Sequence, residues 1–208
     1  DHLKSQGYAT ACIGKWHLGW DWPKIGGGFT TDLKQIDFSQ KLGGGPTAHG
    51  FDSYFGDDVP NWQPFVWIEN DQTKGIPNTD LKFAKHYRSE DGIGIKGWSF
   101  EAVLPEITRR SVQYIDDHAK KDKPFFLYFA MTSPHEPIAP SAQFKGKSGI
   151  SDYADYLMET DWSVGQVLEA VNRNGIDKNT LVIFTTDNGT GWVANFSLLR
   201  KAGAELMA

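Results

Sequence analysis

A lysine and a histidine with possible catalytic roles follow a short apolar segment near the start of this 208-residue chain. In 7-GYATACIGKWHLG-19, Lys15 and His17 come soon after Cys12, the only cysteine of the chain. A lysine ammonium can hold a tetrahedral oxyanion, and a histidine can donate to that anion or move protons near neutral pH. Cys12 lies inside the apolar segment with no base beside it, which favours a small buried hydrophobe over a nucleophile.

Two later loops carry further polar groups, and each directly follows an apolar run. His135 comes after residues 124–130, and Asp187 and Asn188 come after residues 180–186. Carboxylate and amide oxygens suit Ca²⁺ or Mg²⁺, although two oxygens are too few for either ion. Taken singly, the Asp-Asn-Gly sequence is typical of a turn and the histidine of a surface loop. Taken together, the loops predict a metal-assisted site for an anionic sulfur or phosphorus ester.

Apolar patterning predicts the elements that must position these residues. A short first helix ends at Gly7, and the later apolar periodicity predicts two longer helices. Strands are expected within 8–13, 124–130 and 180–186, the last two buried on both faces, and the longer helices within 104–121 and 151–175. This order predicts an α/β fold with a mainly parallel sheet and helices on both faces. Its ligand site is expected beyond the carboxyl ends of the strands.

Residues 14–98 show no sustained period and are rich in glycine and aromatic side chains. Such a length without regular patterning predicts a functional excursion over the site, with short strands of its own. Most of its aromatic side chains are expected to pack the excursion onto the sheet, and stacking on sugar rings is the alternative. Asp57 and Asp58 are interpreted as substrate contacts or as turn residues.

Composition excludes several classes of protein. The net charge is -5, and no basic run stands out beyond Lys120, Lys121 and Lys123, so no nucleic-acid partner is expected. No apolar run approaches the length of a membrane span. One cysteine excludes an internal disulfide. The chain starts within a helix and has no initiator Met, which predicts a missing beginning.

Four blocks of the sequence carry a family resemblance. The pattern G-Y-x-T-x-x-I-G-K-W-H-L-G at 7–19 resembles the second sulfatase signature. HGFDSYFG, KPFFLYFAMTSPHEP and DWSVGQVLEAVNRNGIDKNTLVIFTTDNG resemble successive blocks of the type I, formylglycine-dependent sulfatases. The resemblance implies an alkaline-phosphatase-like fold, a mixed and mainly parallel sheet that is incomplete here. Residues 1–208 are interpreted as a partial sulfatase catalytic domain without the nucleophile region and the C-terminal subdomain.

The same resemblance implies roles for individual residues. Lys15 and His17 match the pair that contacts the formylglycine and the sulfate, with His17 assisting sulfate elimination. His135 matches the histidine that contacts the sulfate and supports departure of the alcohol. Substrate binding is assigned to Lys15, His135 and Lys201, although Lys201 is out of register with the family lysine. These residues form the predicted catalytic and substrate-binding set.

The predicted cofactors also come from the resemblance. Asp187 and Asn188 match the ligands of the divalent metal, usually Ca²⁺, with Mg²⁺ as the alternative. The formylglycine arises from a C/S-x-P/A-x-R motif, which this chain lacks, because Cys12 is followed by Ile-Gly-Lys. The formylglycine is therefore expected in a longer parent protein, where a formylglycine-generating enzyme makes it. The chain alone is expected to be inactive, and the family suggests a periplasmic, extracellular or lysosomal location.

The expected activity is release of sulfate from a sulfated carbohydrate or an aryl sulfate. Two alternatives stay open from the sequence. A phosphodiester or phosphonate monoester hydrolase of the same superfamily uses a related site. A non-catalytic sulfatase-like domain would instead bind sulfated glycans through Lys15, His17 and His135.

Overall fold

A five-stranded sheet lies at the centre of the computed structural model, which describes residues 1–189 together with Ser197 and Arg200. The strand order is β4-β3-β2-β1-β7, with β1 parallel to both β2 and β7, while β3 and β4 run antiparallel. Its strands are β1 (Ala9–Gly14), β2 (Ser53–Gly56), β3 (Ile68–Glu69), β4 (Gln72–Thr73) and β7 (Phe125–Ala130). A separate antiparallel pair consists of β5 (Thr79–Leu81) and β6 (Gly92–Gly94). The prediction of a mainly parallel α/β sheet is confirmed.

Three α-helices accompany the described strands. They are α1 (His2–Ser5), α2 (Val103–His118) and α3 (Asp152–Arg173). Short 3-10 helices span Leu33–Gln35, Pro46–His49, Lys85–Tyr87, Phe100–Ala102 and Asp177–Asn179. Ser151 caps α3 by accepting from the Ala154 amide, as its sequence position predicts. None of the described helices is long and apolar enough to cross a membrane.

The two faces of the sheet are covered by different parts of the chain. On one face, Ile13 and Phe55 pack against Leu104 and Ile107 of α2 and against Tyr156 of α3. Neighbouring residues of a strand point to opposite sides, so Cys12 and Tyr54 lie on the other face of the sheet. Residues 16–42 cover that face. These two layers bury the strand that precedes the candidate site.

The tryptophans of the excursion mostly belong to the core. Trp16, Trp20 and Trp22 are buried in a cluster with Cys12 and Tyr54, which confirms packing as their role. Cys12 is fully buried, and desolvation raises the pKa of its thiol to about 12. The prediction that Cys12 is a small buried hydrophobe is therefore confirmed.

Two strand predictions need correction. The run 124–130 forms β7, yet Phe126 and Tyr128 are 37% and 50% exposed, so the strand is not buried on both faces. The run 180–186 forms no strand, and Leu181 and Ile183 are 85% and 76% exposed. An apolar run becomes a strand only when a neighbouring strand accepts its backbone hydrogen bonds. Within the described residues, 180–186 has no such pairing.

Candidate anion-binding site at the strand ends

Three neighbouring parallel strands end together at one edge of the sheet. Gly14 of β1 lies opposite Ala130 of β7, and Ile13 lies opposite Phe55 of β2. The loop after β1 therefore meets the loops after β2 and β7 at that edge. This arrangement is the one that parallel strands impose on ligand sites in α/β proteins.

The loops bring together three of the residues that the sequence singled out. Partial burial lowers the pKa of His17, and the nearby charges of Lys15 and His135 lower it further. Lys15, His17 and His135 are called the rim below. A rim with one ammonium and two imidazoles can bind an anion and exchange protons with it.

Glycines allow the strand ends to approach closely. A Cβ atom at Gly14 would lie 1.9 Å from the carbonyl oxygen of Ala130, and its φ of +119° is one that side chains rarely adopt. A Cβ atom at Gly56 would lie 1.8 Å from the carbonyl oxygen of Gly14. The amide of Lys15 donates to Ala130 O at 2.9 Å, so the contact that needs glycine also fixes the rim lysine.

Tyr54 braces the same edge from below. Its buried hydroxyl oxygen lies 2.9 Å from the carbonyl oxygens of both Gly14 and Asp57, which share its single proton. The amide of Trp16 also donates to Asp57 O, at 3.3 Å. The turn after β1 is thus held by β2 on one side and β7 on the other.

The rim side chains are free to meet a ligand. Within the described residues, the Lys15 ammonium makes no ion pair or hydrogen bond. His17 has a φ of 50°, an uncommon conformation for a residue other than glycine, and its ring lies edge-on to Trp62 at 5.6 Å. Trp62 is 55% exposed. An unpaired cation beside a strained histidine is typical of a functional site.

His135 is oriented by its own loop. Its Nδ1 lies 2.7 Å from the carbonyl oxygen of Glu136, which can only accept, so Nδ1 carries the proton. The Nε2 atom is therefore the nitrogen left to exchange protons. The loop is anchored to α3, since the hydroxyl oxygens of Thr160 and Ser133 are hydrogen-bonded at 2.7 Å and Glu159 accepts from the Ser141 amide at 2.8 Å.

Two carboxyl groups follow β2, the buried Asp57 and the partly buried Asp58, and they are called the acid pair below. Desolvation, reinforced by the charge of Asp58, raises the pKa of Asp57 to about 7. Desolvation raises the pKa of Asp58 to about 6, and the Lys15 ammonium opposes both shifts. The sequence analysis interpreted Asp57 and Asp58 as substrate contacts or turn residues and did not predict that they are removed from solvent. The available signal was an Asp-Asp pair directly after the short segment HGFDSYFG, which ends in Tyr-Phe-Gly.

The predicted metal ligands are not joined to the rim. Asp187 and Asn188 are exposed, and the hydrogen bonds of their segment are local, such as Asn188 Nδ2 to Gly189 O at 2.8 Å. In the part of the chain that the structure describes, no group of three or more His, Cys, Asp or Glu side chains could hold a metal ion. The present residues therefore do not complete a Ca²⁺ shell. Lys201 lies outside the described residues.

The sheet and the rim together define the class of the molecule. It is an α/β protein of alkaline-phosphatase-like architecture, with the rim of Lys15, His17 and His135 at the carboxyl ends of its parallel strands. Within that class, the chain belongs to the sulfatase family, whose model matches residues 1–204.

Individual relatives agree with this membership. The chain is 32% identical over 194 residues to N-acetylgalactosamine-6-sulfatase of Mus musculus, covering 92% of this chain and 32% of that protein. It is 29% identical to N-acetylgalactosamine-6-O-sulfatase of Bacteroides thetaiotaomicron, covering 91% of this chain and 42% of the relative. The chain thus spans about a third of the length of the curated relatives it matches.

A solved structure shows the same fold. It comes from work on the metabolism of multiple glycosaminoglycans by Bacteroides thetaiotaomicron and matches with a TM-score of 0.75 at 25% identity. The match covers 96% of this chain and 48% of that structure. The similarity therefore extends over nearly the whole sheet and its loops.

Proposed function

We propose that the full-length protein containing this chain hydrolyses a sulfuric ester, and that residues 1–208 form part of its catalytic domain. The observation that carries the proposal is the meeting of Lys15 with His17 and His135 at one edge of the sheet, where no described residue pairs with the Lys15 ammonium. Membership of the sulfatase family supports the same reaction. The activity belongs to the whole protein, and the chain alone is expected to be inactive.

Each rim residue has a chemical task in this proposal. The Lys15 ammonium binds sulfate oxygens and stabilises negative charge as it develops. His135 exchanges a proton with the leaving alcohol through Nε2, because its Nδ1 is held by a carbonyl. His17 has a lowered pKa and so is neutral near pH 7, which suits a group that accepts a proton during release of sulfate.

Two expected groups stand outside this mechanism. A formylglycine in the parent protein, made by a formylglycine-generating enzyme, would supply the attacking hydroxyl. Asp187 and Asn188 remain proposed ligands of Ca²⁺, supported by their Asp-Asn-Gly sequence at the end of an apolar run. Because the described residues do not complete a metal shell, no step is assigned to the metal.

A sulfated carbohydrate is the proposed substrate class. Trp62 presents a half-exposed indole beside His17, and the flat face of an indole can cover the apolar face of a sugar ring. The backbone around Trp62 is held in place, since the backbone amide of Gln63 donates to Glu90 Oε1 at 3.0 Å and Ser89 Oγ donates to Asn61 O at 3.0 Å. The curated relatives, named for sulfatases of N-acetylgalactosamine, support the same class.

The test is an assay of the complete gene product, co-expressed with a formylglycine-generating enzyme, on sulfated sugars and matched phosphate esters. Lys15→Ala should lower kcat/KM for the sulfate ester by roughly 100-fold or more, as loss of one oxyanion contact typically does. Lys123→Ala is the matched control, because Lys123 is exposed and precedes β7, at the opposite end of the strand. Preference for the phosphate ester, or equal effects of the two substitutions, would contradict the proposal.

A further inference from the structure

The acid pair has unsatisfied hydrogen-bonding groups that the proposed reaction does not explain. Asp57 is 3% exposed, and neither oxygen of its carboxyl group has a hydrogen-bond partner among the described residues. One carboxyl oxygen of Asp58 is also buried, and no described residue hydrogen-bonds to it. Buried ionised carboxylates are costly unless they are paired with a charge or take up a proton. The pair therefore needs a counter-charge, a proton, or both.

The groups around the pair leave one cation to balance it. Lys15, which directly follows β1, lowers the pKa of both carboxyls. A hydrogen bond from the His17 backbone amide also lowers the pKa of Asp58. The phenol of Tyr54 on β2 lies within electrostatic reach of both carboxyls, and that of Tyr156 on α3 lies within reach of Asp57. Burial raises the pKa of both phenols well above neutrality, so these two groups stay uncharged. Lys15 is thus the counter-ion that the described residues provide.

Lys15 is shared between the pair and the rim. It lies within electrostatic reach of Asp57 and Asp58 on β2 and also of His17. It is farther than 4.0 Å from every described carboxylate, so it is not locked into an ion pair. An anion that binds the rim must compete with the acid pair for the same ammonium, because both attract one positive charge.

We propose that Asp57 and Asp58 are positioning residues that act as the counter-ion of Lys15 and take up a proton when an anion binds the rim. The proton comes from solvent and bonds to a carboxylate oxygen of the pair, so that Lys15 is released to the incoming anion. The inference rests on the proposed function only for the identity of the anion, a sulfate ester or sulfate. Proton uptake on anion binding is measurable without any turnover.

The sign of the pH effect follows from the carboxyl pKa values. With pKa values of about 7 and about 6, the pair is largely ionised at pH 8 and largely protonated below pH 6. Sulfate should therefore bind more weakly as pH rises from 6 to 8, by up to about tenfold per pH unit for each linked proton. His17 has a pKa lowered below its usual 6.5, so its own protonation strengthens binding mainly under more acidic conditions.

The experiment measures binding of inorganic sulfate to the full-length protein by calorimetry between pH 6 and 8. Repeating it in buffers of different ionisation enthalpy counts the protons taken up per sulfate bound. The variants are Asp57→Asn and Asp58→Asn, which keep the shape of the side chain and remove its charge. Asp155→Asn is the control, since Asp155 is buried on α3 and accepts from the Gly146 and Ser148 amides instead of facing the rim.

Wild-type protein and the control should take up a fraction of a proton near pH 7. Asp57→Asn and Asp58→Asn should take up less, and at pH 8 they should bind sulfate several-fold more tightly than wild type, because Lys15 no longer faces two carboxylates. A merely structural role would weaken binding in both variants. The less buried Asp58 provides the test if Asp57→Asn fails to fold.

Three results would overturn the inference. Equal proton uptake in wild type and the folded Asn variants would assign the proton to the histidines. Weaker sulfate binding by a folded Asn variant would exclude the counter-ion role, and absence of sulfate binding in wild type would exclude the rim as an anion site. Failure of the proposed function looks different: proton-linked sulfate binding would persist while no sulfate ester is hydrolysed.

Discussion

Gly14→Ala tests whether the close approach of β1 and β7 holds the rim together. The added Cβ would lie 1.9 Å from the oxygen and 2.6 Å from the carbon of the Ala130 carbonyl group. Both contacts are with backbone, so no side-chain rotation can relieve them. The end of β1 must move away from β7, and the bond from the Lys15 amide to Ala130 O must lengthen or break.

The expected cost has three parts. Forcing a side chain into a φ of +119° costs about 1–3 kcal/mol. Overpacking against the Ala130 backbone costs about 1–3 kcal/mol, and the strained Lys15 hydrogen bond accounts for about 0.5–1.5 kcal/mol. Together they predict a loss of roughly 2.5–7.5 kcal/mol in the free energy of unfolding, a large share of the ~5–15 kcal/mol typical of folded proteins.

Urea unfolding of the full-length protein, followed by tryptophan fluorescence, measures this loss. Gly165→Ala is the matched control, because Gly165 lies inside α3 and a Cβ there meets nothing within 4 Å. The control should be stabilised by about 0.5–1 kcal/mol, since alanine favours helix over glycine. Sulfate binding should fall only in Gly14→Ala. If the two variants unfold at the same urea concentration, the close approach at Gly14 is not what positions the rim.

Four further predictions follow from the same contacts. Tyr54→Phe should lower the free energy of unfolding, measured with urea, by about 1–3 kcal/mol, because the Gly14 and Asp57 carbonyls lose a buried donor. An unchanged urea midpoint would show that this hydroxyl does not stabilise the turn. Trp62→Ala should raise KM for a sulfated sugar more than for a small aryl sulfate, and equal effects on both would exclude stacking. Asp187→Ala in the complete protein should abolish metal-dependent turnover, whereas wild-type rates would remove the metal assignment. Folding raises the pKa of Asp57 to about 7, so this group should lower the free energy of unfolding by up to about 4 kcal/mol as pH rises from about 4 to about 7. Urea titrations at several pH values should show a smaller loss in Asp57→Asn.

The sequence predicted the parts of the site that follow strong apolar runs. Residues 8–13 and 124–130 became β1 and β7, and their parallel pairing brings Lys15 and His135 to one edge. That proximity could be predicted because the carboxyl ends of parallel strands meet on the same side of a sheet. The helix over 151–175 was equally clear, since its apolar spacing and its Ser151 cap agree.

The sequence did not predict the contribution of β2. This strand has four residues inside a segment without sustained period, so its pairing with β1 could not be read from periodicity. Its position is what buries Asp57 and turns an ordinary Asp-Asp pair into a pair with raised pKa. The run 180–186 shows the opposite error, a strand that was predicted and did not form. Its apolar composition predicts burial, but composition does not supply a neighbouring strand, and Leu181 and Ile183 are exposed.

The contacts that close the sheet also build the site. Gly14 packs against the Ala130 carbonyl at the end of β7, while Gly56 and Tyr54 contact the Gly14 carbonyl at the end of β1. These contacts set the path of the chain into Lys15. Substitutions there should therefore impair stability and anion binding together. The acid pair differs, because a buried carboxyl without a partner among the described residues costs stability, while in the proposed role it also tunes the charge of the rim. Residues that hold the site should therefore lose stability and anion binding together when they are substituted. Residues that set its charge should gain stability while the proton uptake linked to binding falls.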